Sequence, residues 1–112
     1  MASPREGVVT EPRPDVRPEG RPDTPRMWRV LLHNDDFTTQ DFVVWVLESV
    51  FRKSTADAVT IMLHVHHAGV GVAGIYTRDV AESKIAATER LAEQHEFPLR
   101  VTMEPEPEET RR

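Results

Sequence analysis

The sequence predicts an α+β fold of order βααβαβ, a small three-stranded antiparallel sheet covered on one face by three helices. Two features carry that expectation: short stretches that alternate with period two, and longer stretches with helical period that open on capping signals. A third is size, because a core this small must share one sheet among all its helices.

The elements follow in chain order. "MWRVLLH" (27 to 33) sets Trp28, Val30 and Leu32 against Arg29 and His33, the pattern of a strand with one apolar face. "TTQDFVVWVLESVFR" then changes period, placing Phe42, Val43, Val46, Leu47, Val50 and Phe51 on one broad stripe. Thr38 is the expected N-cap, with Asp41 three residues on completing an approximate capping box and Phe37 stapling onto Phe42. "STAD" signals a second helix capped by Ser54, with Val59, Met62, Leu63 and Val65 facing inward, His66 interrupting that stripe, and Gly69 ending the helix.

"VGVAGIY" (70 to 76) reads as a short strand. Thr77 opens a third helix, apolar at Val80, Ala81, Ile85, Leu91 and Ala92 and ended by Phe97 and Pro98. "LRVTM" (99 to 103) closes the sheet, with Leu99, Val101 and Met103 on one face.

The ends differ in character. Six of the nine prolines lie in residues 1 to 26, among five Arg and five acidic residues that cancel. That composition predicts a disordered, polyproline-like extension, with a reach on the order of 80 Å if fully extended. Residues 104 to 112 read as a short acidic disordered tail, leaving 27 to 103 as the core domain.

Composition also excludes whole classes of function. There is no cysteine, so disulfides, thiolate catalysis and Cys-ligated zinc are out of reach. No part of the chain has the basic excess that phosphate binding needs, and the formal net charge is -5, so nucleic acid is not an expected partner and a cationic ligand suits better. No apolar run suggests a membrane span or an export signal, and a cytoplasmic protein is expected.

Nucleophile elbows, phosphate loops and zinc-protease motifs are absent, and adjacent Asp35 and Asp36 diverge in an extended loop, so no enzyme is expected. "HVHH" invites a metal reading, but His64 and His67 point away from His66, and two surface histidines make a poor site; no cofactor is expected. His66 lies within about 40° of Met62 on a helical wheel. A polar ring there needs a partner, and it is either an internally bonded core histidine or half of a site. The loop Asn34-Asp35-Asp36 leads into the first helix, which must lie beside the second. Asn34, Asp35 and His66 would then converge as three acceptors, which suits an ammonium ion with its three donors.

At this point "VLLHNDDFTTQDFV", "MLHVHHAG" and "VAGIYTRDVAESKIAATERLAEQHEFPLRVTME" together resemble ClpS, the bacterial adaptor family that recognises N-terminal degrons and hands them to a Clp-family AAA+ unfoldase. The resemblance spans residues 27 to 103. It implies the same βααβαβ fold, and a monomer. It implies that Asn34, Asp35 and His66 hold the substrate's α-amino group, and that Asp36, Thr38, Gln40, Val43, Met62, Val65 and Leu99 shape a pocket for Phe, Tyr, Trp or Leu. It implies that Asp79, Glu82 and Lys84 dock on the N-terminal domain of an unfoldase of ClpA or ClpC type, toward whose pore the N-terminal extension is fed. Gln40 departs from the pattern: well-known members carry a methionine there that helps exclude β-branched residues. The element order also resembles the C-terminal domain of the ribosomal stalk protein, an interaction module without a small-ligand pocket, and fold alone does not separate the two.

Overall fold

A computed structural model describes residues 25–107. The expectations for residues 1–24 and 108–112, most of the Pro/Arg-rich extension and the end of the acidic tail, lie outside the described residues.

The elements are β1 (Met27–His33), α1 (Gln40–Ser49), α2 (Thr55–Ala68), β2 (Val70–Thr77), α3 (Arg78–Gln94) and β3 (Arg100–Pro105). The strands form one antiparallel sheet in the order β2-β1-β3. Alternation in β1 sends Val30 and Leu32 into the core, both fully buried. The other face of β1 carries Arg29, paired with Glu104 of β3, and His33, whose Nε2 lies 2.8 Å from the Thr102 hydroxyl. One face of the sheet thus meets the helices and the other carries polar pairs, as period-two alternation requires.

Pairing between β1 and β2 slips at Val30/Leu31, so that Val30 faces Gly74 and Leu31 faces Val72. The extra residue, Ala73, makes a bulge. Ala73 and Gly74 are consecutively buried, Val72 and Ile75 both remain outside, and Tyr76 is turned inward to stack near Phe51.

Helix starts match the sequence reading except at α1. Ser54 caps α2 by accepting from the Asp57 amide at 3.1 Å, and Gly69 ends that helix at φ 91°, the left-handed conformation for which glycine costs least. The cap of α1 is Thr39, which accepts from the Phe42 amide at 3.1 Å, and not Thr38. Thr38 is drawn away by Asp35. The hydrophobic staple is absent as well: Phe37 is 75% exposed. Thr77 stands at the N-cap of α3 without making a side-chain cap bond.

Two helix faces are rotated from expectation. In α2 the buried residues are Ala58, Met62 and Val65, while Val59 and Leu63 are exposed. The cause is the close approach of β2. A Cβ at Gly71 would lie 2.8 Å from Val65, so this strand lets Val65 down onto its backbone and fixes the roll of the helix. In α3 the fully or nearly buried face is Ala81, Thr88 and Ala92, with Val80 turned out. These small residues let α3 lie close across all three strands, and Thr88 satisfies its hydroxyl on the Lys84 carbonyl at 2.8 Å.

α3 ends sooner than Phe97. Glu96 takes φ 62°, the Phe97 amide donates to Ala92 O at 2.8 Å and the Glu96 amide to Glu93 O at 3.1 Å, a Schellman ending without glycine. Phe97 then packs 4.8 Å from the Phe42 ring. β3 runs two residues beyond Met103, because Glu104 and Pro105 pair with Arg29 and Trp28.

Candidate functional site

The loop between β1 and α1 is held to the end of α2 by one backbone bond. The Asn34 amide donates to Gly69 O at 2.9 Å. His33 pairs with Val70 just beyond, so leaving the sheet at Asn34 places that residue beside the C-terminal end of α2, where His66 lies in the last turn. α1 then packs against α2 and closes the other side.

The result is a cavity of about 220 Å³ lined by Asn34, Asp35, Asp36, Thr38, Gln40, Val43, Met62, Val65 and His66. Its apolar part is made by Val43, Met62 and Val65, all buried. Its polar part is made by the loop and His66. The C-terminal end of α2 adds the negative end of a helix dipole on the His66 side.

Asp35 is the organising group of the loop. Oδ1 accepts from the Phe37 and Thr38 amides at 2.8 and 2.7 Å, and Oδ2 accepts the Thr38 hydroxyl at 2.7 Å. Burial pushes its carboxyl up, but the Thr38 hydroxyl and the two amides outweigh burial and hold it below its ordinary value. Asp35 is therefore a pre-positioned anion with acceptor capacity left on Oδ2.

Every residue in this lining was among those named from the sequence. Leu99 is the exception in the other direction: it is buried in the core and does not line the cavity. His66 is also placed differently from the reading of its stripe. The roll of α2 leaves it exposed at the edge beside Met62, facing the cavity mouth, so it carries no burial penalty that an internal partner must relieve.

A wider surface hollow of about 380 Å³ lies near Trp28 and is lined by Pro25, Arg26, Thr77, Arg78 and Asp79 as well. Two guanidinium groups give it the wrong sign for an ammonium ligand, so its greater size does not make it the better candidate. Among the described residues no group of three or more His, Asp or Glu side chains is placed to hold a metal ion.

The residues expected to dock a partner lie at the start of α3. Asp79 and Glu82 are exposed, Glu82 accepting from Arg78 at 3.2 Å. Lys84 is partly withdrawn: its Nζ donates to Val50 O at 2.7 Å and lies 5.5 Å from the Tyr76 ring centroid.

Comparison with known proteins decides between the two families that share this element order. The model of the ATP-dependent Clp protease adaptor protein ClpS matches residues 23–102. The chain belongs to the ClpS family. An ATP-dependent Clp protease adapter protein ClpS from Myxococcus xanthus is 54% identical over 99 residues, 88% of this chain and 89% of the relative. One from Deinococcus radiodurans is 52% identical over 109 residues, 86% of this chain and 96% of the relative. The solved structure of Agrobacterium tumefaciens ClpS2 bound to L-phenylalaninamide matches with a TM-score of 0.71 and 38% identity, covering 74% of this chain and all of that one. ClpS proteins are adaptors of a protease and not enzymes, which agrees with the missing catalytic motifs. Among the described residues no helix is long and apolar enough to cross a membrane.

Proposed function

We propose that the cavity binds the N-terminal residue of a protein that begins with Phe, Tyr, Trp or Leu, and that the chain delivers such proteins in the cytoplasm to a Clp-family AAA+ unfoldase of ClpA or ClpC type. One observation carries this reading. A single cavity of about 220 Å³ joins three acceptors, Asn34, Asp35 and His66, to an apolar floor of Val43, Met62 and Val65. A free N-terminus with an apolar first residue has this same division, a three-donor cation one bond from the carbon that bears the side chain.

Size and energy agree. A dry cavity of about 150 Å³ holds benzene, so one large side chain fits. Burying it contributes roughly 1.5 to 3 kcal/mol, and each bond to the charged amine about 1.5 to 3, against several kcal/mol of lost freedom. A preformed pocket then reaches about -8 kcal/mol, the micromolar range, only if amine and side chain both contribute. The ligand in the ClpS2 structure, L-phenylalaninamide, is an amine that carries an aromatic side chain.

Asn34, Asp35 and His66 hold the α-amino group; Asp36 and Thr38 form the rim. Asp79 and Glu82 offer an acidic docking surface at the start of α3, with Lys84 alongside, and the N-terminal extension serves delivery.

Peptide titration by fluorescence anisotropy tests the reading with Phe-, Ala- and acetyl-Phe-starting peptides. Acetylation should cost on the order of 3 to 5 kcal/mol, because it removes the charge and leaves Asp35 facing an uncharged amide. Equal binding of all three peptides overturns the reading.

A further inference from the structure

We infer that Gln40 binds the carbonyl oxygen of the ligand's first residue by donating its side-chain amide, so that the cavity recognises an amino-acid residue and not merely an apolar amine. This rests on the amine-socket reading above. Three groups branch from the ligand's first Cα. With the ammonium at Asn34, Asp35 and His66 and the side chain on Val43, Met62 and Val65, the carbonyl leaves toward the remaining lining residues, Asp36, Thr38 and Gln40.

Of these, one can donate. A carboxylate such as that of Asp36 has no proton to offer a carbonyl. The Thr38 hydroxyl proton is engaged by Asp35 Oδ2 at 2.7 Å. The Gln40 amide has two N–H donors, and among the described residues none is taken. Asn34 carries an amide too, but its backbone is anchored to the end of α2, at the amine side of the cavity.

Placement supports the same assignment. Gln40 is the first residue of α1 and precedes Val43 by three, so the two share one helix face, and both line the cavity. Gln40 is exposed, with room to swing to an incoming ligand. The positive end of the α1 dipole lies there as well, which favours an oxygen over a second cation. The cavity therefore runs from the C-terminal end of α2, suited to the ammonium, to the N-terminal end of α1, suited to the carbonyl.

The test compares L-phenylalaninamide with 2-phenylethylamine, which keeps the ammonium and the ring but lacks the carbonyl, by calorimetric titration of the full chain. The ratio of the two affinities in wild type is the reference. In Gln40→Leu that ratio should fall roughly three- to tenfold, with a far-ultraviolet circular dichroism spectrum like that of wild type showing the variant to be folded. Gln40→Glu, which has the shape but no donor, should lower the ratio likewise. Differences in amine basicity between the ligands cancel when ratios are compared across variants. If both ligands bind and the ratio survives in Gln40→Leu, Gln40 is not the carbonyl donor. If neither ligand binds wild type, the amine-socket reading has failed and the assignment falls with it.

Discussion

The hydroxyl of Thr38 donates to Asp35 Oδ2 at 2.7 Å, while the Thr38 amide donates to Oδ1 of the same carboxylate, also at 2.7 Å. One residue thus grips both oxygens of the proposed amine-binding anion. The carboxylate is fixed before a ligand arrives, which removes part of the ordering cost of binding. It also explains why Thr39 and not Thr38 caps α1.

Thr38→Val keeps the shape and removes the hydroxyl. Because that bond helps hold the Asp35 carboxyl below its ordinary value, Asp35 should titrate at higher pH in the variant, as read by carboxyl NMR. A depressed carboxyl stabilises the fold at pH above its unfolded value, and this stability is lost as pH falls through the folded one. Affinity for a Phe-starting peptide should fall several-fold. The loss of fold stability should be about 1 kcal/mol, since the site is partly exposed. An unchanged Asp35 titration would show that Thr38 does not set its charge.

His33 predicts a second pH effect, on stability alone. Burial, and next the charge of Arg100, lower its value below the ordinary histidine range. The unfolded chain then binds the proton more readily, so stability should drop as pH falls below about 6.5 toward the folded value. Urea midpoints at pH 7.5 and 5.5 should differ more in wild type than in His33→Gln. The other histidines contribute equally to both proteins, so equal differences would remove His33 as the cause.

Lys84 is expected to act on the fold as well as on any partner. Lys84→Met keeps the aliphatic stem but removes the donor to Val50 O and the charge over Tyr76. The cost should be about 1 to 2 kcal/mol, a fall in Tm of roughly 4 to 8 °C per kcal/mol for a domain of this size. Binding to an unfoldase N-terminal domain, measured well below that Tm, separates docking from stability. An unchanged Tm would mean the Val50 bond contributes nothing net.

Gly74 lies against the ring of its neighbour Tyr76. A Cβ there would overlap the Tyr76 hydroxyl and the ring edge that carries it, so Gly74→Ala must displace a ring packed near Phe51. The expected cost is about 1 to 3 kcal/mol. Burial raises the Tyr76 hydroxyl, and the stability tied to it is present below the ordinary tyrosine value and erodes as pH rises through the folded one. Tyr76 is the single tyrosine, so phenolate absorbance in an alkaline titration reports it alone. Ionisation should move toward the ordinary value in the variant, and an unmoved curve would show that the ring had kept its place.

The local signals in this chain are strong where neighbouring residues decide the outcome. Val30 and Leu32 alternate into the core, Ser54 caps its helix, Gly69 ends it, and the loop residues Asn34 and Asp35 announce acceptors in the bare sequence. What the sequence could not show is how far each helix is rolled and where two segments touch. Val59 and Leu63 are apolar and fit a buried stripe, yet Gly71 admits Val65 and rolls them outward. Phe37 fits a staple, yet the Asp35 bonds to Thr38 move the helix start one residue on. Leu99 is as apolar as any pocket residue and lies in the core instead. The order of elements, the two caps of α2 and the chemical types in the site were determined by the sequence alone, because each depends on residues a few positions apart. The tertiary structure decided the cavity, because Asn34 is held to the end of α2 by the Gly69 carbonyl, a contact between residues 35 positions apart in the chain.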